Sequence, residues 1–274
     1  MIDPSQWWRA HLEDTELHVS EEQVRAQIDG VDRFLSLEVR SRVLELACGS
    51  GWRTLELARR GHRVLGLHPS EKPLIQARHS ARVDRLNAHF LKNDSVQTSY
   101  RAEFDAVVAL SSALGRFPGD NDDERLMASV ERALKPGGKF LIDLLNKEWL
   151  MRHFEPNSWE QPRGRQGEVL LEQVSFNFEM GRLDSHRTIV GKDGARTPAH
   201  VSLRVYTLTE VKALIEKAGL IYDRSWGAFD GSAYGMDSPR LIVLARRSSD
   251  AERRKKPRPD DHLLAIKIKG RRRR

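Results

Sequence analysis

The clearest chemical signal in the sequence is a short segment, residues 43–52, in which an apolar run leads into a glycine-containing turn. An acid, Glu45, stands four residues before Gly49, and Gly51 follows after one further residue. Glycine adopts positive φ without strain and lets a ligand lie against the backbone, and a helix that begins after the turn offers unpaired N–H groups to negative charge. The segment therefore predicts a strand, a turn and a helix that bind a ligand, although a plain tight turn needs the same glycines.

A dinucleotide site explains this segment poorly. The pattern G-x-G-x-x-G, started at Gly49, has Thr54 in place of its third glycine. An acid is also expected about 20 residues further on, at the end of the second strand, and this sequence has His68 there. The combination disfavours an NAD(P)-dependent oxidoreductase.

The elements that would position the turn alternate between strands and helices. Ser20 and Gln23 have the form of a capping box before an amphipathic helix. Short apolar runs then alternate with helical patterns, and they predict strands at 42–46, 63–67, 88–91, 104–110 and 138–144. This alternation is typical of a doubly wound, mostly parallel α/β sheet with helices on both faces.

A second periodicity interrupts this alternation from about Trp159. Residues 174–178 alternate apolar and polar side chains, and strand-like runs continue at 183–190 and 201–206 between turn sequences. Thr207 then begins a capped helix that ends before two last strands. The predicted organisation is an N-terminal helical lid at 1–40, a ligand-binding domain at 41–150 and 206–247, an inserted antiparallel β subdomain at 151–205, and a basic, disordered tail at 248–274.

Composition narrows the class of protein. The chain has 274 residues, 39% of them hydrophobic, which is enough for one principal core. Its single cysteine, Cys48, excludes an internal disulfide and a cysteine-based zinc site, and we expect no metal. No run approaches the roughly 20 apolar residues of a membrane helix, so we expect a cytoplasmic protein without integral membrane association.

Positive charge is concentrated at one end of the chain. Residues 246–274 hold 13 lysines and arginines against 4 aspartates and glutamates, a net charge of +9, whereas the first 245 residues hold 33 and 35. A charge cluster of this kind predicts weak binding to nucleic acid or anionic surfaces through the tail. The sequence carries no signal for the oligomeric state.

Several motifs follow one another in an order that resembles a known family. They are residues 43–58, 61–67, 93–94, 104–107 and 133–138. In order and spacing the chain resembles class I S-adenosylmethionine-dependent methyltransferases over residues 6–247, and it looks most like bacterial members with a small β insert before the last helix. The resemblance implies a seven-stranded Rossmann-like sheet and S-adenosylmethionine as the cofactor.

The resemblance also implies which residues hold that cofactor: Glu45, Ala47, Gly49, Gly51, His68, Asp94, Ser95, Leu110 and Ser111. The turn would pack against the methionine part, Asp94 would accept from the adenine amino group, and Leu110 with Ser111 would face the transferable methyl. Glu45 has an alternative role as an acid that organises the loop without touching ligand.

His68 departs from the family pattern, which has an acid at this point. A carboxylate receives both ribose hydroxyls, whereas a neutral imidazole has one acceptor nitrogen. His68 is therefore expected either to make a weaker ribose contact or to be a surface residue, with Glu71 or a water completing the contact.

The acceptor of the methyl group is less well defined. Four residues, His186, His200, Asp230 and Tyr234, are candidate catalytic bases for a hydroxyl acceptor, and each can equally be an ordinary strand or loop residue. Residues 109–112 lack the motif of base-amino methyltransferases. The sequence favours transfer to a nitrogen or oxygen of a small-molecule acceptor. The alternatives are an RNA-directed methyltransferase recruited by the tail and a non-catalytic cofactor-binding regulator.

Overall fold

The structure is a computed structural model that describes residues 20–93, 98–110, 113–117, 119, 121–161 and 167–255, with backbone alone for 253–255. Its helices are α1 Glu21–Leu35, α2 Trp52–Arg59, α3 Glu71–Val83, α4 Asp122–Ala133, α5 Lys147–Arg152, α6 Leu208–Lys217 and α7 Asp250–Lys255. Its strands are β1 Arg42–Leu46, β2 Arg63–His68, β3 Ala88–Lys92, β4 Phe104–Ala109, β5 Leu134–Leu145, β6 Asn157–Glu160, β7 Val169–Asn177, β8 Arg182–Val190, β9 Arg196–Arg204, β10 Leu220–Trp226 and β11 Arg240–Arg247.

Seven strands form one sheet in the order β3-β2-β1-β4-β5-β11-β10. β11 runs antiparallel to both of its neighbours, and the other pairs are parallel. In the middle of the sheet Leu44 pairs with Leu65 on one side and Val107 on the other. The predicted doubly wound, mostly parallel sheet is confirmed.

Each face of this sheet is covered by helices. Strand residues such as Val43 and Val108 pack with α1, α2 and α3 in one apolar core. Their sequence neighbours Leu44 and Val107 point the other way and pack with α4 and α6. Because both faces are buried, the strands have continuous apolar runs instead of alternating ones.

Helix α1 is one layer of this core. It begins at Ser20, whose hydroxyl accepts from Gln23 N–H while the Gln23 side chain accepts from Ser20 N–H. Ile28 and Val31 are fully buried against the sheet. The prediction of a lid is therefore wrong for this helix, because its apolar stripe is used for packing; residues 1–19 lie outside the described ranges.

The insert is an antiparallel sheet of four strands in the order β6-β7-β8-β9. Val174, Leu183 and Leu203 lie on its inner face and pack against Trp149 and Leu150 of α5. The predicted β insert is confirmed, and it begins earlier than its period-two pattern indicates, at the short strand β6.

The start of the tail is ordered as a helix, so the prediction of disorder from residue 248 is wrong for 250–255. Ser249 caps α7 by accepting from Glu252 N–H, and Arg246 donates two hydrogen bonds to Glu252 at 2.7 and 2.8 Å. The Arg246 guanidinium is the first of the groups that lower the pKa of Glu252 to about 2. No helix in the described ranges is long and apolar enough to span a membrane.

Candidate active site

Three adjacent strands of the parallel sheet end at one edge, and the glycine-containing turn leaves β1 there. The turn has positive φ at Ala47 (53°), Gly49 (58°) and Gly51 (81°). Cys48 N–H donates to Leu67 O at 2.9 Å, which fastens the turn to the end of β2. Open α/β sheets bind ligands at the carboxyl ends of their strands, so this edge is the candidate site.

Gly51 is required by packing inside the protein. A Cβ on this residue would lie 2.4 Å from Phe90 Cε1 and 2.9 Å from the Cβ of Ala77. The expectation that its missing side chain leaves room for a ligand is therefore wrong, because Phe90 and Ala77 fill that room. Only the backbone of Gly51 remains for a ligand contact.

Glu45 lies directly below the turn and is 1% exposed. The Thr54 hydroxyl donates to its carboxylate, which joins β1 to the first turn of α2. Beside this contact, a Cβ on Gly66 would lie 2.9 Å from both Cys48 Sγ and Thr54 Oγ1. This geometry supports the alternative role of Glu45, in which the acid organises the loop.

His68 ends β2 and is 3% exposed, so the expectation of a surface residue is wrong. Its Nδ1 lies 3.1 Å from both the N–H and the carbonyl oxygen of Ser70. The N–H contact selects the tautomer with the proton on Nε2, and the carbonyl contact selects the other tautomer. In both cases Nδ1 is turned to its own loop.

The remaining predicted cofactor residues divide into two groups. Leu110 follows β4 at the same sheet edge and is 3% exposed. Asp94, Ser95 and Ser111 lie outside the described residues.

The two candidate histidines are paired with each other on the insert. His186 and His200 are directly opposite on β8 and β9, and their rings stack with centroids 4.5 Å apart. His186 is exposed, on the strand face opposite to the buried Leu183 and Ser185. The structure therefore gives both histidines a cross-strand packing role on the outer face of the insert.

The pKa values of the other two candidate bases are shifted away from neutral pH. Asp230 is exposed, and hydrogen bonds from the Ser232 hydroxyl and N–H lower its pKa. The Tyr234 hydroxyl donates to Glu148 at 2.8 Å, and burial, with this carboxylate, raises its pKa. Neither group is poised to take a proton from a hydroxyl at neutral pH.

Comparison with known proteins gives a consistent assignment. Residues 43–138 match the family model described as "Methyltransferase domain". The chain is 25% identical over 206 residues to the cypemycin N-terminal methyltransferase of Streptomyces sp, covering 75% of this chain and 82% of that protein. It is 30% identical over 143 residues to a ubiquinone biosynthesis O-methyltransferase of Dechloromonas aromatica, covering 52% of this chain and 58% of the relative. A solved S-adenosylmethionine-dependent methyltransferase from Clostridium acetobutylicum superposes with a TM-score of 0.74 at 16% identity, over 88% of this chain and 98% of that one.

The chain contains a methyltransferase domain over residues 43–138 and is similar to class I S-adenosylmethionine-dependent methyltransferases. Its cofactor is S-adenosylmethionine, which supplies an electrophilic methyl group on a sulfonium. The residues at the sheet edge fit this group, because a turn with three positive-φ residues brings the backbone to the surface between the ends of β1, β2 and β4. We infer that the 47–51 turn, His68 and Leu110 hold it.

Three clusters around the edge of this methyltransferase were not found from the sequence. Asn146 is fully buried after β5; its amide donates to Gly235 O and Ser238 O at 2.8 and 2.7 Å, and its oxygen caps α5. It thereby fixes the loop between β10 and β11. An asparagine after an apolar strand and before a helix is a recognisable N-cap signal, but its partners 89 and 92 residues away are not.

The second cluster joins the loop after β4 to the insert. Asp123 accepts from Gly115 N–H at 2.8 Å and from the Tyr206 hydroxyl at 2.6 Å. Gly115 O in turn accepts from Arg204 N–H at 2.8 Å, and a Cβ on Gly115 would lie 2.2 Å from Arg204 O. These contacts join the loop that follows β4 to the end of β9.

The third cluster is a buried ion pair. Arg240 donates to Asp143 at 2.5 Å, and their side chains are 12% and 1% exposed. Burial lowers the pKa of Arg240. Because Leu141 packs with α1–α3 and side chains alternate along a strand, Asp143 lies on that same sheet face.

Proposed function

We propose that this enzyme transfers the methyl group of S-adenosylmethionine to a nitrogen or oxygen atom of a small molecule, with an amine nitrogen as the better candidate. The supporting observation is the state of the candidate bases. His186 and His200 stack on each other, Asp230 has a lowered pKa, and Tyr234 has a raised one. A neutral amine needs only to lose its own proton before attack, whereas a hydroxyl needs a base poised near neutrality.

In this proposal the protein contributes position and exclusion of water. In-line transfer from a sulfonium is accelerated by holding the two reactants in the right geometry. The insert would cover the carboxyl edge, and its fastening at Gly115 through Asp123 and Arg204 supports that placement. The name of the cypemycin N-terminal methyltransferase is also consistent with a nitrogen acceptor.

The proposal is tested by methyl transfer to a panel of amines and matched alcohols, followed by the formation of S-adenosylhomocysteine. We expect amines to react, with kcat/KM rising tenfold per pH unit up to a plateau whose midpoint follows the pKa of each amine. The variants H186Q, H200Q and D230N should retain kcat/KM within about threefold.

A profile whose midpoint stays fixed while the acceptor changes would instead indicate a catalytic base on the enzyme. Reaction of alcohols alone, with loss of activity in one of these three variants, would overturn the preference for nitrogen.

A second candidate is methylation of RNA recruited through the basic tail. Its support is the net charge of +9 over residues 246–274, set against a near-neutral body. Deleting residues 256–274 should then abolish transfer to RNA while leaving transfer to small acceptors unchanged.

A further inference from the structure

A groove of about 590 Å³ lies between the segment before β4 and helix α4. Arg125, Ser129 and Arg132 line one wall, at positions that share a face of α4. Thr98 and Arg101 line the opposite wall. With Ser99, which also lines it, the groove brings together three guanidinium groups and three hydroxyl side chains.

The described lining of this groove contains no carboxylate. Arg125 has an exposed ion pair with Asp122 at 3.3 Å, which is worth little in water. Arg132 donates to the Ser129 hydroxyl at 2.8 Å. Arg101 is exposed and has no ion pair within the described ranges. Since the first 245 residues hold more acids than bases, this positive cluster is a local feature.

Thr98 provides an independent indication of a ligand. Its side chain is 6% exposed, and its Oγ1 is buried without a hydrogen-bond partner in the described part of the chain. A buried hydroxyl without a partner destabilises the folded chain, so a bound acceptor would be favoured there. Thr98 is one of the residues that line the groove, so this hydroxyl lies beside it.

We propose that this groove binds a phosphate group, either free or carried by a larger ligand. Arginine presents a planar fork of donors that matches the oxygens of phosphate, and three arginines line this groove. The Thr98 hydroxyl would add a neutral donor at the floor of the groove.

This site is separate from the methyl-transfer edge. Ala102 N–H, just before β4, donates to Arg132 O at 2.8 Å, so the Arg101–Arg132 end of the groove lies at the amino end of that strand. β4 has 6 residues, which places its two ends roughly 17–20 Å apart at about 3.3 Å per residue. The cofactor turn is at the other end, so the inference does not depend on the proposed acceptor.

The test is a titration of the full chain with inorganic phosphate at constant ionic strength, followed by phosphorus NMR line broadening. We expect saturable binding that R101Q weakens about tenfold and T98V about threefold, from the loss of one charge-assisted and one neutral hydrogen bond. R224Q, which removes another exposed arginine, on β10, is the matched control and should bind like the wild type.

A second arm distinguishes free phosphate from nucleic acid by adding a short single-stranded RNA. Displacement of phosphate by RNA in the wild type, reduced in R101Q, assigns the groove to a nucleic-acid phosphate; phosphate binding that RNA does not affect assigns it to a small ligand. Equal phosphate affinity for wild type and R101Q, or no saturable binding, would overturn the proposal.

Discussion

Replacing Gly51 with alanine tests how the cofactor turn is built. The substitution places a Cβ 2.4 Å from Phe90 Cε1 at a residue with φ of +81°. The left-handed conformation costs a non-glycine residue about 1–2 kcal/mol, and overpacking a core adds about 1–3 kcal/mol. We therefore expect G51A to lose about 2–5 kcal/mol in free energy of unfolding.

The matched control is Gly219, with φ of +82° and nothing within 4 Å of a built Cβ. G219A should pay only the conformational cost, about 1–2 kcal/mol. Urea denaturation followed by tryptophan fluorescence measures both, and the double variant G51A/F90L should recover part of the difference because leucine lacks the obstructing ring atoms. Equal stability of G51A and G219A, with loss of S-adenosylmethionine binding in G51A alone, would refute this reasoning and show that Gly51 faces the ligand.

Three further substitutions have defined outcomes. H68D should bind S-adenosylmethionine about tenfold more tightly by calorimetry, because a carboxylate accepts two hydroxyls and attracts the sulfonium; unchanged affinity would mean that residue 68 does not face the ribose. Y206F removes the 2.6 Å hydrogen bond to buried Asp123 and should lower the free energy of unfolding, measured by denaturation, by about 1–3 kcal/mol. The control Y222F, whose hydroxyl donates to Ser225 at a half-buried site, should lower it by under about 1 kcal/mol. Similar losses in the two variants would contradict a special role for Asp123. Burial tends to raise the pKa of Glu210, but hydrogen bonds from Thr207 prevail and lower it from 4.5. The stability that the ionised Glu210 adds is therefore present above pH 4.5 and is lost as pH falls below it. The stability difference between wild type and E210Q should shrink between pH 6 and pH 3.5, and a constant difference would contradict the cap.

Local patterns were sufficient to predict much of the fold. Both capping boxes, at Ser20 and Thr207, form as expected, because the interacting groups are three residues apart. β1 has its predicted bounds, and β2 and β3 each extend one residue further than predicted. Apolar runs bounded by glycine, proline or polar turn residues are enough to predict such elements.

The candidate site was less accessible to sequence reasoning, since its contacts join distant segments. Asp143 with Arg240 and Asp123 with Tyr206 are 97 and 83 residues apart, and nothing in either local pattern marks the partner. Gly51 and Gly49 look alike in sequence, yet the direction in which Gly51 packs depends on Phe90, two strands away. The placement of His186 and His200 on the outer face of the insert could not be predicted either, because a period-two pattern does not say which face is inward.

Isothermal titration calorimetry of S-adenosylmethionine into the purified chain and into G49V tests most directly whether the 47–51 turn binds the cofactor. We predict one cofactor bound per wild-type chain and no measurable binding to the variant, whose β-branched side chain would occupy the turn at φ of 58°. The circular dichroism spectrum of the variant should remain that of a folded α/β protein. Absence of binding to the wild type, or equal binding to a folded G49V, would contradict the assignment of the cofactor to this turn.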